Sequence, residues 1–540
     1  MRHPTPPEYA AFYDGFVAQH LESDLHGSLT DGINACVECC DRYTGENRIA
    51  LNWEGVDGAQ SVLTFDELQH QAARFANVLT QNGIGPGDRV AGLLPRIPEL
   101  LVVILGTLRA GAVYQPLFTA FGSKAITDRL AGSEAKLIVT DADNRPKLND
   151  VPNCPITLTL KATQADDINF ADTMAVQSDT FEPVMLRGDD LFLMMFTSGT
   201  TGPPKGVGVP IKALLSFAAY MKFALNVRPD DQFWNIADPG WAYGLYYAVI
   251  GPLLLGHATT FYQGPFTVDK TYELIASHGI TNFAGAPTAY RMMIASGEAE
   301  AAKIRGKLRV ASSAGEPLNP EVMRWFNAHL DCPLYDQYGQ TETGMVLMNH
   351  HGLAHDVTPG SAGRPMPGYH LAVLDEAGQE CPDGEPGILA IDRHRSSLFY
   401  FPGYRGREAQ GWEGDYYLTG DSAIKNADGS YSFVGRSDDL ISSAGYRIGP
   451  FDVESCLIEH KSVLESAVVG KPDFKRGHIV RAFVVLRDGF TPSDDLAEAL
   501  KLKVRERLGA HAYPREITFI NELPKTPSGK IQRFILRNEP

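Results

Sequence analysis

The stretch FTSGTTGPPKGV, Phe196–Val207, sets three glycines, four hydroxyl residues and one lysine in twelve positions. Such a run cannot build a core. Glycines let a backbone approach a ligand closely, and exposed N–H groups flanked by hydroxyls form a nest for phosphate oxygens. Lys205 adds a point charge suited to the same anion. The order is GxxGxxKG rather than the GxxxxGK[ST] of a Walker A loop, so an ordinary P-loop nucleoside triphosphatase is not the expectation. Two other clusters could do chemistry. Cys36, Cys39 and Cys40 lie in CVECC, but no second CxxC and no nearby HxxxH completes four zinc ligands. His350 and His351, in MNHHG, read as packing or surface residues before they read as pocket residues.

The glycine-rich run follows the apolar segment DLFLMMF, so its small and hydroxyl residues sit where a strand ends. Short apolar runs alternate with stretches of helical period: RVAGLLP, ELLVVILGTLRAGAVY and AKLIVTD, then KALLSFAAYMKFAL, HATTFYQG, TYELIASHGI and TNFAGAP. Continuous apolar strands followed by helices imply an α/β body of parallel or mixed sheets covered by helices. Between Asp375 and Phe433 the texture changes: Gly, Asp and Pro punctuate short strands (GILAI, YYLTGDSAI, YSFVG) as in antiparallel hairpins, a small β-barrel-like subdomain. After GRSDDLISSAG a compact pattern resumes, with helices at PFDVESCLIEH and LAEALKLKVRERLG and strands at ESAVVGK and RAFVVLR. That pattern reads as a small α+β domain over residues 438–540, behind an N-terminal domain of residues 1–437.

At 540 residues the chain buries a large core and divides into more than one domain. Its 44% hydrophobic and 21% charged residues are those of an ordinary soluble globular protein. The longest apolar stretch, near YYAVIGPLLLG, is interrupted and too short for a bilayer span, and the proline-bearing N-terminus has no signal-peptide core, so a cytoplasmic location is expected. Seven cysteines fit reduced thiols there. The 48 basic and 65 acidic residues leave a net charge of −17, which argues against nonspecific nucleic-acid binding. From Asp439 onward, 16 basic residues face 14 acidic ones, so this piece carries +2 and the preceding body −19. The asymmetry suggests a separate C-terminal domain, with any anionic ligand held by local basic groups.

The glycine-rich run does not stand alone. ADPGWAYG (Ala237–Gly244), SSAGEPLNP (Ser312–Pro320), YDQYGQTETG (Tyr335–Gly344), YLTGD (ending at Asp421), GRSDDLISSAGYRIGPFDVE (Gly435–Glu454) and PKTPSGKIQR (Pro524–Arg533) follow it in order. This series resembles the adenylate-forming superfamily of acyl-CoA synthetases, peptide-synthetase adenylation domains and firefly luciferase. The wording DPGWAYG and YGQTETG is most similar to that of short- and medium-chain, AMP-forming acyl-CoA synthetases.

The resemblance implies a carboxylate that attacks the α-phosphate of MgATP to give an acyl-adenylate and pyrophosphate, followed by displacement of AMP by the coenzyme A thiol. The substrate is itself the nucleophile, so the protein positions reactants and neutralises charge. By resemblance, Thr197, Ser198, Gly199, Thr200, Thr201 and Lys205 grip the β- and γ-phosphates, Thr341 touches the α-phosphate, and Glu342 holds Mg²⁺, a hard cation suited to a carboxylate. Gly315, Glu316, Pro317 and Asp336 match the adenine site, and Asp421 the ribose hydroxyls with Arg436 alongside. Arg447 matches a phosphate-contacting arginine. Lys530, in a PSG turn, bridges carboxylate and α-phosphate during adenylation. Rotation of the C-terminal domain about a hinge at Asp438 then withdraws Lys530 and brings up Gly445, which leaves room for the pantetheine arm. Close acetyl-CoA synthetases often carry Ser where this chain has Ala444, so a hydroxyl bond to the pantetheine arm is not expected here. Arg129 and Lys503 are loose candidates for the coenzyme A phosphates.

For the acid, the motif positions imply a pocket of Trp241, Ala242, Tyr243, Ala314 and Gly339. Acetate-specific relatives have a tryptophan before QTETG, whereas Gly339 stands there, so a short- to medium-chain, branched or aryl acid is expected to fit. Methylene discrimination of about 1–3 kcal/mol implies a blurred range. The rival readings are an enzyme that passes its acyl group to a carrier protein or an amine, and a nucleotide-binding relative without turnover. The chain stops shortly after the lysine motif, leaving no fused carrier domain in view, and the retained Lys530, Glu342 and Asp421 argue for catalysis. Lys530 is also an expected target for an acetyltransferase and deacetylase pair, because acetylation removes its charge.

Overall fold

A computed structural model describes residues 5–161, 164–197, 204–407, 410–436, 439, 441–443, 446–474, 476–525 and 531–539. The alternation of apolar strands and amphipathic helices resolves into two large mixed sheets. In the first, Arg89–Leu93 lies between Leu137–Thr140 and Val113–Pro116, and the row continues outward through Ile156–Thr159 and Ile168–Asn169 on one side. On the other side come Leu191–Thr197 and Lys205–Pro210. All neighbours are parallel except this last pair, which is antiparallel with Thr197 opposite Lys205. The glycine-rich run therefore joins two strands of a hairpin. Its residues 198–203 lie outside the described ones.

The second sheet runs Phe233–Asn235, Asn282–Gly285, Val310–Ala314, Leu334–Gln340, Gly344–Met348 and Arg364–Pro365, parallel for the first four strands and antiparallel after that. Because the strands are parallel, their C-terminal ends share one edge, where crevices in open α/β sheets form. SSAGE and YDQYGQ both reach that edge. A separate three-stranded sheet pairs Ile49–Gly55 with Gln60–Thr64 and, in parallel, with Thr259–Gln263.

The helices pack as their sequences ask. Thr64 and Glu67 form a reciprocal capping box at the start of Phe65–Gln81, which buries Leu68, Ala72, Phe75, Ala76 and Leu79. Asn319 caps Pro320–Leu330 with proline at its first turn. Helix Ala213–Ala219 continues into a wide π-type turn, Tyr220–Ala224, and a second one occupies Leu245–Ile250. Such turns recur at functional sites. One core joins the first sheet to helices Phe65–Gln81 and Ala213–Ala219 and to Phe233, Ala284 and Ala314 of the second, while Pro320–Leu330 packs into another through Val322, Phe326 and Leu330.

Leu371–Leu374, Pro386–Asp392, Trp412–Glu413, Tyr416–Lys425 and Tyr431–Arg436 form the antiparallel subdomain expected from its turn-rich sequence. The C-terminal piece is α+β. Gly477–Leu486 pairs with Val463–Asp473, Ile441–Ser443 and Glu516–Phe519, flanked by helices Pro450–Ile458 and Asp494–Leu508, with its own core of Val453, Leu457, Val468, Val484 and Val504. Among the described residues no helix is long and apolar enough to cross a membrane.

Candidate active site

Glu342 sits in the turn between Leu334–Gln340 and Gly344–Met348 and is only 6% exposed. Burial pushes its carboxyl above the usual range, while the Tyr404 hydroxyl and the Lys205 ammonium favour its charge. Tyr404 donates to Glu342 Oε1 at 2.8 Å, and Lys205 Nζ lies 4.7 Å from the centre of the Tyr404 ring. The segment carrying Tyr404 is itself fixed to the strand beginning at Lys205, since Arg405 N–H donates to the Gly206 carbonyl at 2.9 Å.

From Glu342 a line of buried polar groups continues toward Asp421. Tyr404 and Tyr417 hydroxyls lie 3.4 Å apart, and Tyr417 donates to Gln340 Oε1 at 3.4 Å. Gln340 Nε2 donates to Asp421 Oδ2 at 2.7 Å, as does the Tyr338 hydroxyl at 2.5 Å. Asp421 and Arg436 face each other across neighbouring strands, with Arg436 NH1 3.5 Å from Asp421 Oδ1. Glu342 and Asp421, far apart in sequence, thus stand at the ends of one row of polar contacts; with their protons given to Glu342 and Gln340, the Tyr404 and Tyr417 hydroxyls only abut in the middle of it. Tyr338, Gln340, Tyr404 and Tyr417 did not stand out in the sequence. Tyr338 and Gln340 lie inside YDQYGQTETG and were open to inspection, whereas nothing local marks Tyr404 in YFPGYRG.

The adenine-matching group is brought together at the ends of Val310–Ala314 and Leu334–Gln340. Ser313 pairs in register with Asp336. Gly315 holds φ = +97°, the left-handed region, and no atom lies within 4 Å of where its Cβ would be, leaving open space beside the backbone. Glu316 is braced by Thr288, 3.2 Å from Oε1, and by Arg291, 3.2 Å from Oε2. Asp336 accepts from Leu318 N–H at 3.1 Å through Oδ2, but Oδ1 is buried without a partner among the described residues. Burial pushes this carboxyl up to about 8.

A small cleft is lined by Trp241, Ala242, Thr341, Arg129, Phe121 and Phe196 among others. Thr341 is anchored there by its carbonyl, which accepts from Tyr246 at 3.1 Å. Trp241 packs edge-on against Phe121 and tilted on Phe118, at 5.3 and 5.4 Å. Arg129, considered for coenzyme A phosphates, is 6% exposed, donates to the Ala125 carbonyl and sits 4.1 Å from the Phe121 ring centre. Burial lowers its pKa. Lys503 pairs with Glu459 at 3.3 Å on the C-terminal domain.

Gly339 lies on the hairpin beside Tyr338 and opposite Met345, at a bulge. A Cβ there would stand 2.2 Å from the Gly344 carbonyl oxygen and 2.7 Å from Met345 Cα and Sδ. The direction of its missing side chain is therefore filled by the partner strand and is not open cleft. His351 stacks on Tyr335 at 4.2 Å and bonds the Ala311 carbonyl, and His350 packs 5.3 Å from Tyr9; burial drives both imidazoles down to about 3. They act as packing groups. Cys36, Cys39 and Cys40 are buried, with their sulfurs against Arg109, the Ile250 carbonyl and the Phe65 carbonyl. Ser198, Gly199, Thr200, Thr201, Asp438, Ala444, Gly445 and Lys530 lie outside the described residues.

Comparison with known proteins decides the family. The AMP-binding enzyme model matches residues 40–404, and the AMP-binding enzyme C-terminal domain matches residues 452–530. The chain belongs to the AMP-binding enzyme family. Acetyl-coenzyme A synthetase of Bacillus subtilis (strain 168) is 38% identical to it, covering 94% of this chain and 91% of that protein. A mitochondrial acyl-coenzyme A synthetase of Mus musculus is 35% identical over 96% of this chain and 93% of its own. The crystal structure of a Brucella canis acyl-CoA synthetase is 56% identical, covers 98% of both chains and superposes with a TM-score of 0.82. A Burkholderia xenovorans LB400 benzoate CoA ligase, 30% identical, covers 94% of this chain and 100% of its own with a TM-score of 0.83. This AMP-binding enzyme is an acid–thiol ligase that joins a carboxylic acid to coenzyme A with ATP as co-substrate.

Proposed function

We propose that the enzyme activates a short- to medium-chain carboxylic acid in two half-reactions: acyl-adenylate formation with release of pyrophosphate, then thioester formation with release of AMP. The observation that carries this reading is the row of polar contacts from Glu342 through Tyr404, Tyr417 and Gln340 to Asp421, which gathers two carboxylates and Lys205 into one cluster, with Thr341, next to Glu342 in sequence, lining the cleft. Asp421 with Arg436 receives the ribose, and Gly315, Glu316, Pro317 and Asp336 frame the base. Thr197, the run 198–201 and Lys205 hold the departing pyrophosphate. Thr341 faces the α-phosphate, where the acid's carboxylate attacks and the bond to the β-phosphate breaks.

Glu342 suits Mg²⁺: it is a hard oxygen donor in a buried pocket, and the ion when bound supplies charge neutralisation at the phosphates. Lys530 and Arg447 bring further positive charge to the anionic reactants during adenylation. The domain of residues 438–540 then turns about Asp438, exchanging Lys530 for the Ala444–Gly445 segment. Coenzyme A enters past Gly445, with Arg129 near its path. Trp241, Ala242, Tyr243 and Ala314 surround the acyl chain.

The test is a carboxylate panel with MgATP and coenzyme A, read for AMP release and thioester formation together. Acid-dependent production of both, in equal amounts, is the expected outcome. AMP release without thioester, or no acid-dependent turnover, overturns the reading.

A further inference from the structure

Lys530 and the proposed hinge at Asp438 are far apart in sequence, yet residues close to each of them meet. Arg436, on the body side of the hinge, ends the strand Tyr431–Arg436 and pairs in register with Asp421. Asp439, on the far side, donates its N–H to the Arg436 carbonyl at 3.0 Å, but its carboxylate is tied into the C-terminal domain. It forms ion pairs with Arg537, through Oδ1, and with Arg533, 3.8 Å from Oδ2. Both arginines belong to the short helix Arg533–Arg537, which starts three residues after Lys530. They stand four positions apart, one above the other on a single helix face, so one carboxylate reaches both.

Arg533 extends the tie inward. Its Nη2 lies 2.8 Å from both carboxylate oxygens of Glu454, and its Nε donates to Oε1 at 3.2 Å. Glu454 is buried on helix Pro450–Ile458 and accepts from Val468 N–H at 2.8 Å. Charge-assisted, two-pronged contacts of this kind fix geometry as well as contributing energy. The stretch that holds Lys530 is also closed at its base. Lys525 bridges to Ile531, Gln532 N–H donates to the Pro524 carbonyl at 2.8 Å, and the Lys525 ammonium pairs with Glu465 at 2.7 Å. The segment 444–445, proposed for the second half-reaction, has a different support: its flanking strands Ile441–Ser443 and Tyr446–Ile448 pair with each other, and Ser443 pairs with Gly477.

We propose that Arg533 and Arg537, with Asp439 and Glu454, are positioning residues that lock the Lys530 segment to the C-terminal side of the hinge. The turn of the domain is then taken up at residues 437–438, and Lys530 arrives in one place. The inference rests on the proposed roles of Lys530 and of domain rotation, and it names the groups that make the first precise. A misplacement of about 1 Å among reacting groups costs up to about 100-fold in rate. Loosening this linkage therefore slows adenylation, whereas the second step keeps the support of its own strands.

Single-turnover assays follow pyrophosphate release with acid and MgATP, and thioester formation from supplied acyl-adenylate and coenzyme A. In Asp439→Ala, adenylation should slow by about tenfold with the KM values for acid and MgATP within about twofold of the parent, and thioester formation should stay within about threefold. Arg537→Gln should show the same split more weakly, because Arg533 still holds Asp439, and the double variant should be no slower than Asp439→Ala. Thermal melts confirm folding, and Arg537→Gln, the milder change, carries the test where Asp439→Ala does not fold. Parental adenylation in the folded variants overturns the proposal, as do equal losses in the two half-reactions or additive losses in the double variant. Lys530→Ala, run alongside, separates the two levels. If it leaves adenylation intact, the reading of Lys530 falls and the clamp with it; if it slows adenylation while Asp439→Ala does not, the clamp alone falls.

Discussion

Tyr404 donates its hydroxyl to Glu342 at 2.8 Å while its ring lies 4.7 Å from the Lys205 ammonium, so one side chain orients a carboxylate and a cation of opposite charge. Hydrogen bonds to charged groups contribute about 1.5–3 kcal/mol, and their loss inside a buried site leaves the partner unsatisfied. Tyr404→Phe keeps the ring beneath Lys205 and removes only the bond. Its kcat/KM for MgATP in acid-dependent ATP–pyrophosphate exchange should fall by about 10- to 100-fold, while the KM for the acid changes little. Unaltered use of MgATP would show that Glu342 needs no such support.

Gly339 has no room for a side chain in the direction its backbone dictates, since the Gly344 carbonyl and Met345 occupy it. Overpacking of this kind costs about 1–3 kcal/mol. Gly339→Ala should therefore lower the melting temperature and the turnover of every acid together, without sharpening selectivity for acetate. A stable Gly339→Ala enzyme that prefers acetate over butyrate would instead place the missing side chain in the acyl pocket.

Much of this architecture is legible in the sequence, and the reasons differ by element. Strands such as Leu191–Thr197 and helices such as Pro98–Arg109 announce themselves because periodicity is local. The parallel pairing of Ile49–Gly55 with Thr259–Gln263 does not, because no local pattern encodes a partner so distant in the chain. The same division holds in the site. Glu342, Asp421 and Arg436 stand in motifs whose wording draws attention, and the structure sets Asp421 against Arg436. Tyr404 and Tyr417 are ordinary tyrosines until tertiary packing places their hydroxyls between those carboxylates. Gly339 shows the opposite limit: the residue type is plain, but which way its side chain would point depends on a bulge with Met345.

In the proposed adenylation step Lys530 acts, with Arg447, from the C-terminal domain. An ammonium placed between two anions acts through charge, so its removal should cost adenylation more than about 100-fold. Lys530→Ala should retain thioester formation from supplied acyl-adenylate within about tenfold of the parent, because that step lacks the anion-on-anion encounter. Single-turnover assays of the two half-reactions separate these outcomes. An equal loss in both would remove the division of labour between Lys530 and the Ala444–Gly445 segment.

Asp336 makes a prediction about stability that is independent of turnover. Its side chain is buried, Oδ1 has no partner among the described residues, and burial raises its carboxyl to about 8 from an ordinary value of 3.8. Between those two values the folded protein holds a proton at Asp336 that the unfolded chain has released. The folded state then binds more protons, so stability falls as pH rises through this window and levels off above about pH 8. One proton gives a slope of at most about 1.4 kcal/mol per pH unit. Asp336→Asn keeps an oxygen to accept from Leu318 N–H but cannot ionise, which removes this contribution. Urea melts of parent and variant between pH 5 and 8 should therefore diverge, the variant gaining relative stability steadily toward pH 8. Parallel stability curves across that range would mean that Asp336 is ionised in the folded protein.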